Sequence, residues 1–228
     1  MSSFEIKMKR RKVEQRESVK RFYLFCEGTQ TEPNYFKGFK KIIDRNPIYK
    51  NSIAITIFGV GRGTKYVLDE AKKEVKNKHI DSGEIWCIYD KDSFEDKDFD
   101  SVSLEANQLN NSQQDIKYNV AWSNQCIEYW FILHFSYYES NNSRKNYQEY
   151  LTKQFKLLGF GAYKKSDKEI FNILHDYGNP KQAIKYAEKR LQVCKNLPDS
   201  QAAPATKVHL LVKELAKYLP DDIKSKYL

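Results

Sequence analysis

No stretch of this 228-residue chain approaches the run of about 20 apolar residues that a bilayer-spanning helix needs, so no membrane association is expected. The N-terminal MSSFEIKMKRRKVEQRESVKR is charged and has no apolar h-region. It is not read as a signal peptide, and a soluble, cytoplasmic protein is expected. Cysteine is sparse. Cys26, Cys87, Cys126 and Cys194 lie far apart and form no CxxC pair, which leaves zinc fingers and redox dithiols without support. Three of the four sit in apolar surroundings, where a reduced cysteine acts as a small buried hydrophobe. Repeats and long linkers are also missing. Hydrophobic residues make up 40% and aromatics 14%, enough for a core, so disordered and fibrous classes are excluded. The length suits one domain, or one domain with an appendage.

The formal net charge is +9, unevenly spread. Residues 1–21 carry eight basic and three acidic side chains, residues 22–142 carry 14 and 18, and residues 143–228 carry 17 and nine. Two basic flanks thus enclose a mildly acidic middle. Solvated Lys-rich helices would produce this pattern, and so would a polyanion-binding protein with its acids gathered at one working site.

The middle alternates apolar runs with amphipathic segments. Strands are expected at Arg21–Cys26, Ile53–Val60, Glu84–Tyr89 and Lys117–Trp122. Helices are expected from Thr31, as N-cap, through Ile43, from Val67 to about His79, and within Phe94–Asn110, with a long apolar helix over Asn124–Tyr138. Buried strands alternating with helices predict an α/β fold, a mostly parallel sheet flanked by helices. After residue 140 strand signals vanish. Helices are expected at about 143–157, 166–177, 179–196 and 206–218, with a loop at 197–205. The organisation is read as a basic arm at 1–20, an α/β domain at 21–140 and a helical C-terminal region at 141–228.

Acidic residues mark the ends of these elements. Glu27 follows the first strand, Asp90 and Asp92 follow the third, and Glu128 lies in CIEYWFILHF. Functional residues of open α/β sheets gather at the carboxyl ends of strands. On an extended segment, residues two apart point to one side, so Asp90 and Asp92 can share one hard cation such as Mg2+. DxD also marks turns and helix caps. Glu128 fits either a functional role or the exposed edge of its helix, since an unpaired buried carboxylate is costly. Arg62, in the turn Gly61-Arg62-Gly63, is a candidate phosphate ligand, with Lys91 and Lys207 as further ones. The turn lacks a full Walker or dinucleotide pattern. Basic-aromatic pairs such as Tyr163-Lys164-Lys165 and Lys185-Tyr186 suit stacking on bases and phosphate contact, or an ordinary surface.

Strand-Glu-Gly followed by strand-DxD resembles the Toprim domain of topoisomerases, primases and OLD-type nucleases. More closely, CEGTQTEPNYFKGF, IYDKDSF, SNQCIEYWFILHF and PATKVHLLVKEL resemble, in order, the motifs of RloB-like proteins. The resemblance runs from about residue 20 to residue 218. It implies a Toprim-like fold in which Glu27, Asp90 and Asp92 match metal-binding or catalytic carboxylates. Glu128 matches an acidic helix position. Glu32 stands near a second glutamate of OLD-type nucleases, one residue further from the Glu-Gly, where it equally serves a helix N-terminus. Asn124, Thr206 and His209 fall in family motifs. A Thr N-cap and a packed His also explain the last two.

RloB-like proteins occur beside restriction-modification and abortive-infection genes, often with an RloA-like ABC/AAA-type ATPase. The resemblance therefore implies a Mg2+- or Mn2+-dependent nuclease acting on DNA or RNA, tRNA included, in anti-phage defence. A topoisomerase or primase would need modules that this chain lacks. Two alternatives stand: a non-catalytic nucleic-acid- or ATPase-binding subunit, and a DxD phosphotransferase. The latter normally carries its DxD after the first strand, where this chain has Glu27.

Overall fold

A computed structural model describes residues 19–112 and 115–228. The basic N-terminal arm expected at 1–20 lies almost wholly outside the described residues. Among the described residues, no helix is long and apolar enough to cross a membrane.

The α/β half runs β1 (Lys20–Cys26), α1 (Thr31–Ile43), β2 (Ile53–Gly59), α2 (Lys65–Asn77), β3 (Gly83–Asp90), α3 (Asp96–Ser112) and β4 (Ile116–Asn124). It is followed by α4 (Glu128–Ile132), α5 (Arg144–Leu157), α6 (Ile170–Tyr177) and α7 (Pro180–Val193). A two-residue strand β5 (Ala205–Thr206), α8 (Val208–Ala216) and α9 (Asp221–Lys224) complete the chain. Strand order is β2-β1-β3-β4-β5. The first four strands are parallel, and β5 runs antiparallel to β4. The α/β class with a mostly parallel, helix-flanked sheet and a helical C-terminal region is therefore observed.

Side-chain alternation sorts the strands onto two cores. Phe22, Leu24, Trp86 and Ile88 face a core shared with α1 and with α4 to α8. Phe25, Ile85, Cys87 and Tyr89 face a smaller one under α2 and α3. Fully burying each large apolar side chain stabilises by about 1.5–3 kcal/mol, and Phe22, Phe25, Phe36 and Phe39 are all fully buried. All four cysteines are buried and free. Gly38 brings α6 against α1, because a Cβ there would lie 1.9 Å from the Phe171 ring.

Several expected elements differ. The long apolar helix over Asn124–Tyr138 does not form. Asn124 ends β4, α4 is short, and its neighbours are buried on every side rather than along one face. Apolar density here reflects a segment enclosed by other elements, not helical periodicity. Thr31 does not cap α1. Gln30 precedes the helix without a side-chain cap, and Thr31 Oγ1 donates instead to the Lys165 carbonyl (3.1 Å). Strand structure does not end at residue 140, because β5 closes the β4 edge of the sheet.

Candidate functional site

The strand order reverses between β1 and β3, which places a crevice at their carboxyl ends. Glu27 and Asp90 sit there. The Glu27 backbone N–H donates to the Ile88 carbonyl (2.9 Å), and its Oε2 accepts from the Asp90 backbone N–H (2.9 Å) and from Thr64 Oγ1 (3.2 Å). Thr64 Oγ1 also lies 2.8 Å from the Asp90 carbonyl. These bonds fix the Glu27 carboxylate on the rim.

Asp92 reaches the same crevice by another route than the one expected. It is not on an extended segment. β3 ends at Asp90, and Asp92 takes φ +40°, a left-handed conformation that aspartate tolerates better than most residues. Its N–H donates to the Gln125 carbonyl (3.0 Å).

One cavity is lined by Glu27, Glu32, Asp90, Asp92 and Glu128 together with Arg62, Arg144 and Lys165. Glu32 comes from the first turn of α1, where a negative charge suits the helix dipole. Gly28 makes room for it, since a Cβ at position 28 would lie 2.4 Å from Glu32 Oε2. Glu128 is buried, which removes its exposed-edge alternative. Its Oε1 accepts from Gln148 Nε2 (2.9 Å) and Tyr163 OH (3.3 Å).

Crowding raises carboxylate pKa values. Burial, then the charges of Glu32 and Glu27, push Asp90 well up. Burial, aided by Glu27 and Glu128, pushes Glu32 up to about 7. Burial raises Glu27 against its two hydrogen bonds, and raises Asp92 against the charges of Arg144 and Lys165.

Arg144 is the main counter-charge. Its Nη2 lies 3.0 Å from Asp90 Oδ2 and also contacts Asp92 Oδ2. Burial works against this cation, but Asp90 and Asp92 outweigh it and hold its pKa above the ordinary value. Ser143 caps α5 by accepting from the Asn146 N–H (3.4 Å), which sets Arg144 in the first helical turn. A cation there opposes the helix dipole, so the carboxylates determine where it rests.

The remaining candidates lie elsewhere. Lys91 turns away, contacting the Phe94 carbonyl and Asp96 (3.2 Å). Lys207 pairs with Asp199 (3.0 Å) over the Trp122 ring. Asn124 Nδ2 donates to the Ser200 carbonyl (2.7 Å). Thr206 Oγ1 accepts from the Val208 N–H (3.1 Å), and the buried His209 ring lies against the Thr206 carbonyl (3.1 Å). These contacts hold β5 and the start of α8. Tyr163 is buried against Glu128 and is no stacking platform, whereas Lys164 and Lys165 are exposed. Tyr186 packs on Tyr137.

An all-oxygen set of five carboxylates has the chemistry of a hard-cation site. Glu32 Oε2 is buried without a hydrogen-bond partner, as a group awaiting a ligand would be. The donor set therefore fits Mg2+ or Mn2+. As the side chains stand, no three Asp, Glu, His or Cys among the described residues converge to hold a metal, and Arg144 spans Asp90 and Asp92.

The α/β fold with carboxylates at its switch point defines a class, and the sequence narrows it. The family model for "RloB-like protein" matches residues 22–215. The chain belongs to the RloB-like family. No curated protein and no solved structure gives a significant match.

Proposed function

We propose that this protein is a divalent-metal-dependent nuclease of Toprim type. The observation that carries the reading is the lining of one cavity by Glu27, Glu32, Asp90, Asp92 and Glu128, with Glu32 Oε2 left unpartnered. Asp90, Asp92 and Glu27 would hold the ion, with Glu32 and Glu128 behind them. Bound there, Mg2+ or Mn2+ supplies a Lewis acid and a hydroxide source at neutral pH.

The chain's own residues do the rest. Thr64 and the Asp90 N–H keep the Glu27 carboxylate aimed into the cavity. Arg62 and Lys165, both in the cavity lining, offer positive charge to a phosphate. Arg144 neutralises Asp90 and Asp92. With a metal held by Asp90 and Asp92, the Arg144 guanidinium would be available to pair with phosphate oxygens. Family membership supports a role in anti-phage defence beside an RloA-like ATPase.

The Arg144 bridge also favours a second reading, a binding subunit whose pocket is permanently neutralised. One assay separates the two. Labelled DNA and RNA pools, tRNA included, are incubated with Mg2+ or Mn2+, with and without the neighbouring ATPase. Cleavage lost in Glu27→Ala and Asp90→Ala supports the nuclease. Cleavage unaffected by both substitutions would overturn the site. Binding without cleavage under every condition favours the binding subunit.

A further inference from the structure

A row of cations leads away from the acidic cavity. Lys37, Lys41 and Arg45 recur at four-residue intervals along α1 and the turn after it, all exposed. Lys37 and Lys41 are one helical turn apart, about 6 Å. Among the described residues none of the three is in an ion pair, whereas Lys40 on the same helix is paired with Asp44 (2.8 Å).

The row has walls. Two hollows share Gly38, Lys41 and Asn172 and so form one groove, with Lys37 and Lys168 at one end and Arg45 at the other. Glu169 is the acid on this wall, and its carboxylate accepts from Asn172 Nδ2 (2.5 Å).

The groove is tied to the cavity. Thr31 Oγ1 donates to the Lys165 carbonyl, and Asn34 Nδ2 donates to the Ser166 and Asp167 carbonyls (3.3 and 3.4 Å). Residues 165–168 are thereby fastened to the start of α1, so Lys165 in the cavity wall is followed by Lys168 in the groove wall.

We propose that this groove binds the phosphodiester backbone of a nucleic-acid strand and guides it from Arg45 past Lys41 and Lys37 to Lys168 and Lys165 at the cavity. The proposal deepens the nuclease reading and rests on it for the direction of the strand. Its basis is charge complementarity: a line of unpaired cations suits a chain of evenly spaced anions and ends where a phosphate would meet carboxylates. The track is built from α1, within the acidic middle of the sequence, and from a short C-terminal segment. It draws on the C-terminal basic flank only through Lys165 and Lys168.

The test uses the full chain in EDTA, so that binding is read without cleavage. Fluorescein-labelled single-stranded DNA and RNA are titrated by anisotropy between 50 and 200 mM salt. The variant is Lys37→Ala, Lys41→Ala and Arg45→Ala combined. Its control removes Lys181, Lys185 and Lys189, exposed residues of α7 with the same spacing. Thermal midpoints check that both variants fold.

The groove variant should bind at least tenfold more weakly, and its log–log salt slope should be shallower by about 2, near 0.7 per lost contact. The α7 control should bind as the wild type does. Unchanged binding in the groove variant overturns the track and leaves the nuclease reading standing if Asp90→Ala still abolishes cleavage. Equal weakening in both variants also overturns it, as unspecific attraction. A wild type that binds no nucleic acid overturns the track, and the cleavage assay with Mn2+ then decides the nuclease reading by itself.

Discussion

The cavity has two sides of opposite character. On the sheet side, Glu27, Asp90 and Asp92 stand at or just beyond the ends of β1 and β3, held by backbone bonds within the α/β half. On the helical side, Arg144 and Lys165 bring positive charge, and Gln148 and Tyr163 bring donors to Glu128. The sheet side concentrates negative charge, and the ion pairs to Asp90 and Asp92 come from Arg144 on the helical side. The helical side carries a cation at a helix start, where it would be unfavourable alone. Neither half makes the site without the other.

Variants can break this division, and the largest effect should come from the sheet side. On the proposed nuclease reading, Glu27→Gln keeps the shape but removes the charge, and should lower the cleavage rate about 10²- to 10⁴-fold with little change in folding. Single-turnover rates at saturating Mn2+ would measure this.

Acid should strike the helical side first. Burial pushes the pKa values of His134 and His209 down to about 4, whereas an unfolded chain leaves them near 6.5. The folded pKa is the lower one, so their contribution is intact above pH 6.5 and is lost as pH falls towards 4. Each is expected to cost about 3 kcal/mol over that window. Urea midpoints at pH 7 and pH 4.5 should show the loss, and His209→Gln should remove its share.

A smaller effect is expected at the junction. Arg144→Ala leaves Asp90 and Asp92 without their cation, and should lower metal-free stability by about 1–2 kcal/mol, less than for a fully buried pair because Arg144 is a third exposed. Mn2+ should then raise the thermal midpoint of this variant more than that of the wild type. An equal rise in both would show that Arg144 does not occupy the cation's place. The smallest effect should be that of Tyr163→Phe, about 1 kcal/mol from one lost bond to Glu128, read from the same urea curves.

Legibility in the sequence followed the same line. The four parallel strands and α1 to α3 were readable because each strand is a short apolar run and each helix has one apolar face. Glu27, Asp90 and Asp92 were readable from their places at strand ends. Glu128 stood out as a carboxylate inside an apolar segment, and Glu32 came with the resemblance. Arg144 was not found, because it is one of many cations in the C-terminal region and its partner Asp90 lies 54 positions away. No local pattern connects them. β5 was missed because two residues carry no periodicity, and α4 was overdrawn because enclosure on all sides looks like a long helix. Lys91 and Lys207 have the right charge, but their nearest carboxylates, Asp96 and Asp199, hold them elsewhere.

Gly28 carries no functional group, yet it restricts which sequences can build this cavity. Any side chain at position 28 would strike Glu32 Oε2, 2.4 Å from where its Cβ would stand. Alanine there would force the buried carboxylate out of its place before any chemistry began. The atom met is the end of a flexible side chain, so Gly28→Ala should leave the fold intact and show its effect at Glu32, in the shape of the acidic cavity.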